Sequence, residues 1–211
     1  LAKKQEKKPI PSAVVMVIIS AVAAALLWKG LPDQPDSSQE QSSSPFDDKE
    51  IPENYIPIYK EAEQAYGVSW EVLAAVHRVE TIFSTMDELE SPAGAIGHTQ
   101  FMPCSFVGWS YDGCGGKGDA NISEEDLTDT DVIEANGGYG VDADGSGEAD
   151  PYNIEDAVFS TANYLAANGG ADGELRKALH QYNQADWYVE EVLSYAEKYE
   201  KHHNAVKTTA E

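Results

Sequence analysis

The sequence predicts a mainly α-helical domain from residue 51 onward, and three observations carry that prediction. Apolar residues recur at three- and four-residue spacing in several segments. Pro, Ser, Asn and Gly bracket those segments as helix punctuation. No convincing period-two alternation, the mark of strands, accompanies them.

The first helix is expected from Pro52, which suits an initial helical position, through Tyr66. Tyr55, Ile58, Tyr59 and Ala62 form its stripe, and Gly67 stops it. Ser69 then caps a second helix running to Phe83. At about 100° per residue, Leu73, Val76, Phe83, Val72 and Val79 share one side, with Arg78 and Glu71 opposite. Glu80 projects into the apolar side, between Leu73 and Val76. Farther on, Asn153 with Asp156 three residues later resembles a capping box. Ile154, Ala157, Val158, Thr161, Ala162 and Leu165 make the stripe of that helix, which Gly169 and Gly170 end. Two shorter patterns follow, at 174–182 and 186–201, the second marked by Trp187, Val189, Val192, Leu193, Ala196 and Tyr199. The Gly- and Asp-rich stretch 105–150 between them is expected to be a long irregular loop, of the kind that is functional or ordered by an ion.

Residues 1–50 are of another kind. Lys3, Lys4, Lys7 and Lys8 lie in a basic tail, 1–9, before the uncharged run 10–28. About 20 apolar residues suffice to cross a bilayer core of about 30 Å, so 10–28 reads as a transmembrane signal-anchor helix. Lysines before it and Asp33, Asp36 and Glu40 after it put the tail in the cytoplasm and the domain on the extracytoplasmic side of the cell membrane. A cleaved signal peptide is the competing reading, because alanines at 21–25 suit a peptidase. The continuation of the apolar run through Leu26, Leu27 and Trp28 favours an uncleaved anchor. Residues 29–50, rich in Pro, Ser, Gln and Asp, are expected to be a flexible linker. Its root-mean-square reach is roughly 25 Å. The domain itself is taken as 51–201, with 202–211 as a C-terminal tail.

The formal net charge is −23, and beyond the span no basic cluster offers itself to phosphates, which excludes nucleic acid as a partner. Cys104 and Cys114 allow a disulfide on an oxidising exterior or two separate thiols. The run DADGSGEAD at 142–150 places oxygen donors at Asp142, Asp144 and Ser146, a turn at Gly147 and the carbonyl of Glu148, following positions 1, 3, 5 and 7 of an EF-hand loop. The twelfth position is Asn153, so the usual closing Glu is missing. Bound Ca²⁺ of structural purpose is preferred over a solvated acidic turn, because clustered acids repel without a cation.

Five segments in order carry a resemblance: RVETIFS at 78–84, AGAIGHTQFMPCSF at 93–106, DADGSGEADPYNIEDA at 142–157, STANYLAANGG at 160–170 and ALHQYN at 178–183. Together they resemble bacterial lytic murein transglycosylases, most closely the membrane-bound B type, within the lysozyme-like helical superfamily. The resemblance implies a lysozyme-like domain with an irregular Ca²⁺-binding loop, acting as a monomer on peptidoglycan glycan strands. It implies that Glu80 is the catalytic acid and then base, cutting the MurNAc–GlcNAc β-1,4 bond and leaving 1,6-anhydro-MurNAc, which makes the enzyme a lyase. It implies that Gln100, Tyr182 and Asn183 line the glycan cleft, with Tyr182 facing the carboxyl. It also moves the closing loop ligand to the fifteenth position, Asp156. A Glu among apolar side chains fits the acid's task, since an unperturbed carboxyl at about 4.3 is ionised at neutral pH and burial raises it. Asp87, Glu88 and Glu90 are the second carboxylates should the chemistry be hydrolysis. His77, one turn before Glu80, is the alternative ion-pair partner. A non-catalytic glycan-binding module of a cell-envelope assembly is the reading from another class. Relatives are expected to be shorter between Pro103 and Asp142, and His98, a loop histidine, receives no role.

Overall fold

The computed structural model describes residues 47–48, 50–115 and 121–209, with side chains as far as residue 203. They belong to one unit, Ser42–Glu211. The basic tail, the membrane span and most of the linker lie outside the described residues. No described helix is long and apolar enough to cross a membrane.

Among the described residues there are eight helices: α1 (Ile56–Tyr66), α2 (Trp70–Thr81), α3 (Pro103–Val107), α4 (Glu124–Thr128), α5 (Thr130–Asn136), α6 (Ile154–Ala167), α7 (Leu175–Tyr182) and α8 (Asp186–Thr209). β-Structure there amounts to isolated bridges, Glu90 with Ile96, Ile96 with Phe101 and Asp129 with Glu148. The mainly helical expectation therefore holds. Three boundaries move: α1 begins at Ile56 with Pro57 in its first turn, α2 stops at Thr81 rather than Phe83 because Ile82 and Phe83 turn left-handed, and α8 continues through most of the expected tail.

Helix α2 is the centre of the larger core and packs on α8, α1 and α6. Its residues Val72, Leu73, Ala74, Ala75 and Val76 are all buried, so it is apolar nearly all round, as a helix enclosed by others must be. That corrects the two-faced expectation for Arg78, which is buried at 4% exposure. Its guanidinium lies 4.5 Å from the Tyr195 ring, donates to the Asp47 carbonyl at 3.0 Å and approaches Asp48 at 3.5 Å. A cation without such partners would not be tolerated there. Ser69 occupies the N-cap position but accepts no backbone N–H; its hydroxyl donates to Glu71 at 2.7 Å instead.

Tyr59, Leu73, Leu165, Leu179, Tyr188 and Tyr199 fill the same core. Truncating Leu73 to Ala would cost about 2–5 kcal/mol. On α8 the buried stripe runs Tyr188, Val189, Val192, Ala196, Tyr199, while Trp187 is exposed, one residue out of phase with the expected start.

The stretch 105–150 is not the irregular loop expected. It folds into α3, α4 and α5 over a second core of Phe101, Phe106, Val107, Ile133 and Ala149. Cys104 and Cys114 are bridged, with Cα atoms 5.6 Å apart. Gly108 (φ +109°) lets α3 lie against the end of α5; a Cβ there would meet the Asn136 carbonyl at 2.2 Å. Helices this short, with acidic residues in α4 and α5, give too few residues per element for a readable period.

Candidate active site

Glu80 lies in the last turn of α2, one residue before its end, and is half-buried, with the Tyr182 and Tyr188 side chains near its carboxyl. Burial pushes its pKa up to about 8, against a smaller opposing pull from the Tyr188 hydroxyl. Tyr188 is itself buried, and its hydroxyl lies outside strict hydrogen-bonding geometry with any described group. Glu80 forms no ion pair among the described residues. The alternative pairing with His77 fails: both His77 ring nitrogens are taken, Nδ1 by Tyr59 at 2.7 Å and Nε2 by Ser84 at 2.6 Å. Burial holds the His77 pKa down to about 3, so it carries no charge to offer.

Directly after α2 the chain takes an uncommon path. Ile82, Phe83 and Ser84 have φ of 51°, 57° and 63°, a left-handed run costing about 1–2 kcal/mol per L-residue. Burial of the Phe83 ring and bonds at Ser84 hold it. The Ser84 N–H donates to Thr81 Oγ1 at 3.1 Å, and Thr81 Oγ1 donates to the His98 carbonyl at 2.7 Å. The end of the Glu80 helix is thus stapled to the segment carrying Gln100.

That segment is pressed close. Gly97 has φ +75°, and a Cβ there would lie 2.0 Å from the Pro151 carbonyl oxygen, so no larger residue fits. Gln100 sits at φ 52°, and its Nε2 donates to the carbonyls of Leu89 and Gly97, both at 3.0 Å. Two acceptors on one atom fix the amide orientation and leave Oε1 without a hydrogen bond among the described residues. Gln100 lines a groove of about 610 Å³ with Thr85, Met86, Asp87, Glu88, Glu90, Ser91 and Pro92. All three carboxylates kept in view for hydrolysis therefore stand in this groove.

One residue before Gln100, the Thr99 carbonyl accepts from the Tyr182 hydroxyl at 2.8 Å. Burial and the nearby Glu80 charge both push its pKa well above the usual phenol range. Tyr182 is accordingly near the carboxyl but is bonded to the backbone. The tyrosine whose hydroxyl acts on Glu80 is Tyr188, which sequence reasoning missed by taking Trp187 as the buried member of the pair; the i, i+4, i+8, i+11 series from 188 was the available signal. Asn183 follows at the end of α7, half-buried, with its side-chain amide making no hydrogen bond among the described residues. Glu80, Tyr182, Tyr188 and the Thr99–Gln100 strand of chain form one constellation, with Asn183 beside it.

The acidic loop is built differently. Carboxylate oxygens of Asp142, Asp144 and Asp156 lie within 4.8 Å of one another. Asp156 is fully buried at the start of α6 and accepts from the N–H groups of Ala143 at 2.7 Å, Asp144 at 3.3 Å and Asp150 at 2.9 Å. Burial still raises its pKa, with those bonds opposing. Asp142 accepts from Gly145, Ser146 and Gly147; Asp144 accepts from Ser146 and the Asn153 amide. Ser146 Oγ donates to the Glu148 carbonyl at 3.1 Å. Asn153 caps α6 through Glu155 and Asp156 N–H, but Asp156 turns to the loop rather than back to Asn153, so the capping box is half formed.

No protein-family model matches the chain, and no solved structure matches it. A protein of Bacillus subtilis (strain 168) named L-Ala–D-Glu endopeptidase is 26% identical over 172 residues, covering 81% of this chain and 48% of its own. The chain spans about half the length of that relative.

Proposed function

We propose that this domain is a cell-wall enzyme that cleaves peptidoglycan glycan strands, and that it does so as a lytic transglycosylase. The single observation behind this is the Glu80 carboxyl: it has no ion pair among the described residues, burial pushes its pKa up to about 8, and it stands one staple away from a groove bearing Gln100. The Bacillus subtilis relative supports only the coarser statement that peptidoglycan is the target. Its name denotes cleavage next to a D-amino acid, the chemistry of wall peptides, and because only about half of it is matched, the wall as target is all that is taken from it.

In the proposed cycle, Glu80 gives its proton to the glycosidic oxygen as the C1–O bond breaks. The carboxylate so formed takes the C6 hydroxyl proton of the MurNAc residue while O6 closes on C1, which restores the acid and yields the 1,6-anhydro sugar. Water is not consumed. Gln100 Oε1 and the Asn183 amide orient sugar hydroxyl and amide groups, and Tyr182 braces the Thr99–Gln100 backbone. A hydrolase is the second reading, favoured by Asp87, Glu88 and Glu90 in the groove, any of which is suited to activate a water.

Calcium at the acidic loop remains part of the proposal. The residues fit a hard cation in that they offer only oxygen: carboxylates from Asp142, Asp144 and Asp156, with Ser146 Oγ and the Glu148 carbonyl adjacent. Bound there, the ion would stiffen the loop against α6. A monomer, tethered to the outer face of the cell membrane by 10–28, completes the proposal.

Mass spectrometry of digested peptidoglycan decides the chemistry. Anhydro-MurNAc ends support transglycosylation, whereas reducing ends establish hydrolysis. Digestion by Glu80→Gln at the wild-type rate, with the fold intact, would overturn the enzymatic assignment altogether.

A further inference from the structure

A continuous line of hydrogen bonds runs behind the proposed site. Tyr59 Oη meets His77 Nδ1 at 2.7 Å, His77 Nε2 meets Ser84 Oγ at 2.6 Å, Ser84 Oγ meets His98 Nδ1 at 2.6 Å, and His98 Nε2 meets the Tyr152 carbonyl at 2.8 Å. It joins five segments: α1, α2, the left-handed turn, the Gln100 loop and the approach to α6.

Its direction is fixed at one end. A carbonyl oxygen only accepts, so His98 Nε2 carries hydrogen. A neutral His98 then has a bare Nδ1, to which the Ser84 hydroxyl donates. Ser84 Oγ must in turn accept from His77 Nε2–H, and the neutral His77 accepts at Nδ1 from Tyr59. Four gaps hold four hydrogens. A fifth proton has no gap to fill: either the hydroxyl hydrogen of half-buried Ser84 or, if the line reverses, that of buried Tyr59 is left without an acceptor in the line.

We infer that His98 is a positioning residue of the site, which as the neutral Nε2–H tautomer sets the spacing between the Glu80 helix and the Gln100 loop. The inference rests on the glycan-cleaving reading above. Glu80 lies on the chain between His77 and Ser84, and Gln100 lies two residues beyond His98, so slack in the line becomes misplacement of acid against substrate. A misplacement of about 1 Å can cost on the order of 100-fold in rate.

The surroundings agree with neutral rings. His98 meets His77 across Ser84; burial lowers the His98 pKa, while the Tyr152 carbonyl and Asp150 oppose. His77 faces Tyr59, the Tyr55 ring at 5.1 Å and the Phe83 ring at 5.6 Å, and no carboxylate forms an ion pair with it among the described residues. The sign follows: with the His98 pKa lowered, the line is complete at neutral pH and breaks as acid protonates His98. Glycan cleavage is therefore expected to show an acid limb from His98 in addition to the alkaline limb from Glu80.

Nitrogen-15 NMR of the full chain with labelled histidine tests the line without reference to activity. At neutral pH both rings should show protonated Nε2 and bare Nδ1; an Nδ1–H tautomer at either overturns the inference. In peptidoglycan digestion, His98→Leu should lower kcat at neutral pH by about 10- to 100-fold and lose the acid limb. Ser84→Ala, which cuts the line without altering the His98 packing, should lose the same limb and keeps the test usable should His98→Leu fail to fold. An acid limb unchanged in the folded variants overturns the inference. Failure of the glycan reading itself shows separately, as full activity in Glu80→Gln.

Discussion

Glu80 and Asp156 are both carboxyls withdrawn from water, and the protein treats them oppositely. Around Asp156 the chain wraps three backbone N–H groups, so the buried oxygens are answered and the group becomes a structural hub. Around Glu80 it places no backbone N–H donor among the described residues, only the Tyr182 and Tyr188 side chains, of which Tyr188 pulls against burial, and the Glu80 pKa climbs to about 8. Burial alone does not make an acid catalyst; burial with the donors withheld does. The contrast is written in local chemistry. Asp and Gly at 142–147 supply turns whose N–H groups point inward, while a mid-core helix has spent its N–H groups on itself.

The largest expected effect breaks the Glu80 side of the contrast. Glu80→Gln should lower peptidoglycan cleavage by about 10²- to 10⁴-fold, read as muropeptide release. It should also stabilise the fold. Because the folded pKa is raised from 4.5 to about 8, the native state holds a proton the unfolded chain gives up, so wild-type stability falls as pH rises through that window. Denaturant melts of wild type and variant should be close below it and diverge above it, with the variant more stable. Next in size, replacing both Cys104 and Cys114 by Ser should cost about 3 kcal/mol through the second core, while the alkaline limb of activity stays where it is.

Asp156→Asn tests the other side. It turns an acceptor into a donor facing backbone N–H groups, and should cost about 1–3 kcal/mol. Added Ca²⁺ should raise the Tm of the wild type and leave that of the variant unmoved; an equal rise in both argues against the loop as the cation's site. The smallest effect belongs to Tyr188→Phe. Its hydroxyl pulls the Glu80 pKa down, so its loss should carry the alkaline limb to higher pH, with a fall in kcat of about tenfold or less.

How much of this was legible depended on element length. Long stripes in α2 and α6 announced themselves, as did Gly67 and Gly169 as stops, because several turns of one period outweigh single exceptions. Helices α3, α4 and α5, of five, five and seven residues, span barely a turn or two and left no period to read. Arg78 looked like a surface residue because helix phase says nothing of an enclosing neighbour such as Tyr195. Glu80 stood out for the opposite reason: an acid among valines needs explanation wherever it falls. The His77–Ser84–His98 line was beyond reach, since it depends on three left-handed residues and on loops meeting across 54 positions of sequence at His98 and Tyr152.

The central claim is that Glu80 is held uncharged at neutral pH, and carboxyl-carbon NMR of the chain labelled at glutamate measures it directly, with Glu80→Gln identifying the resonance. The Glu80 signal should titrate at about 8. A midpoint near 4.5, the ordinary value for this side chain, would contradict the account.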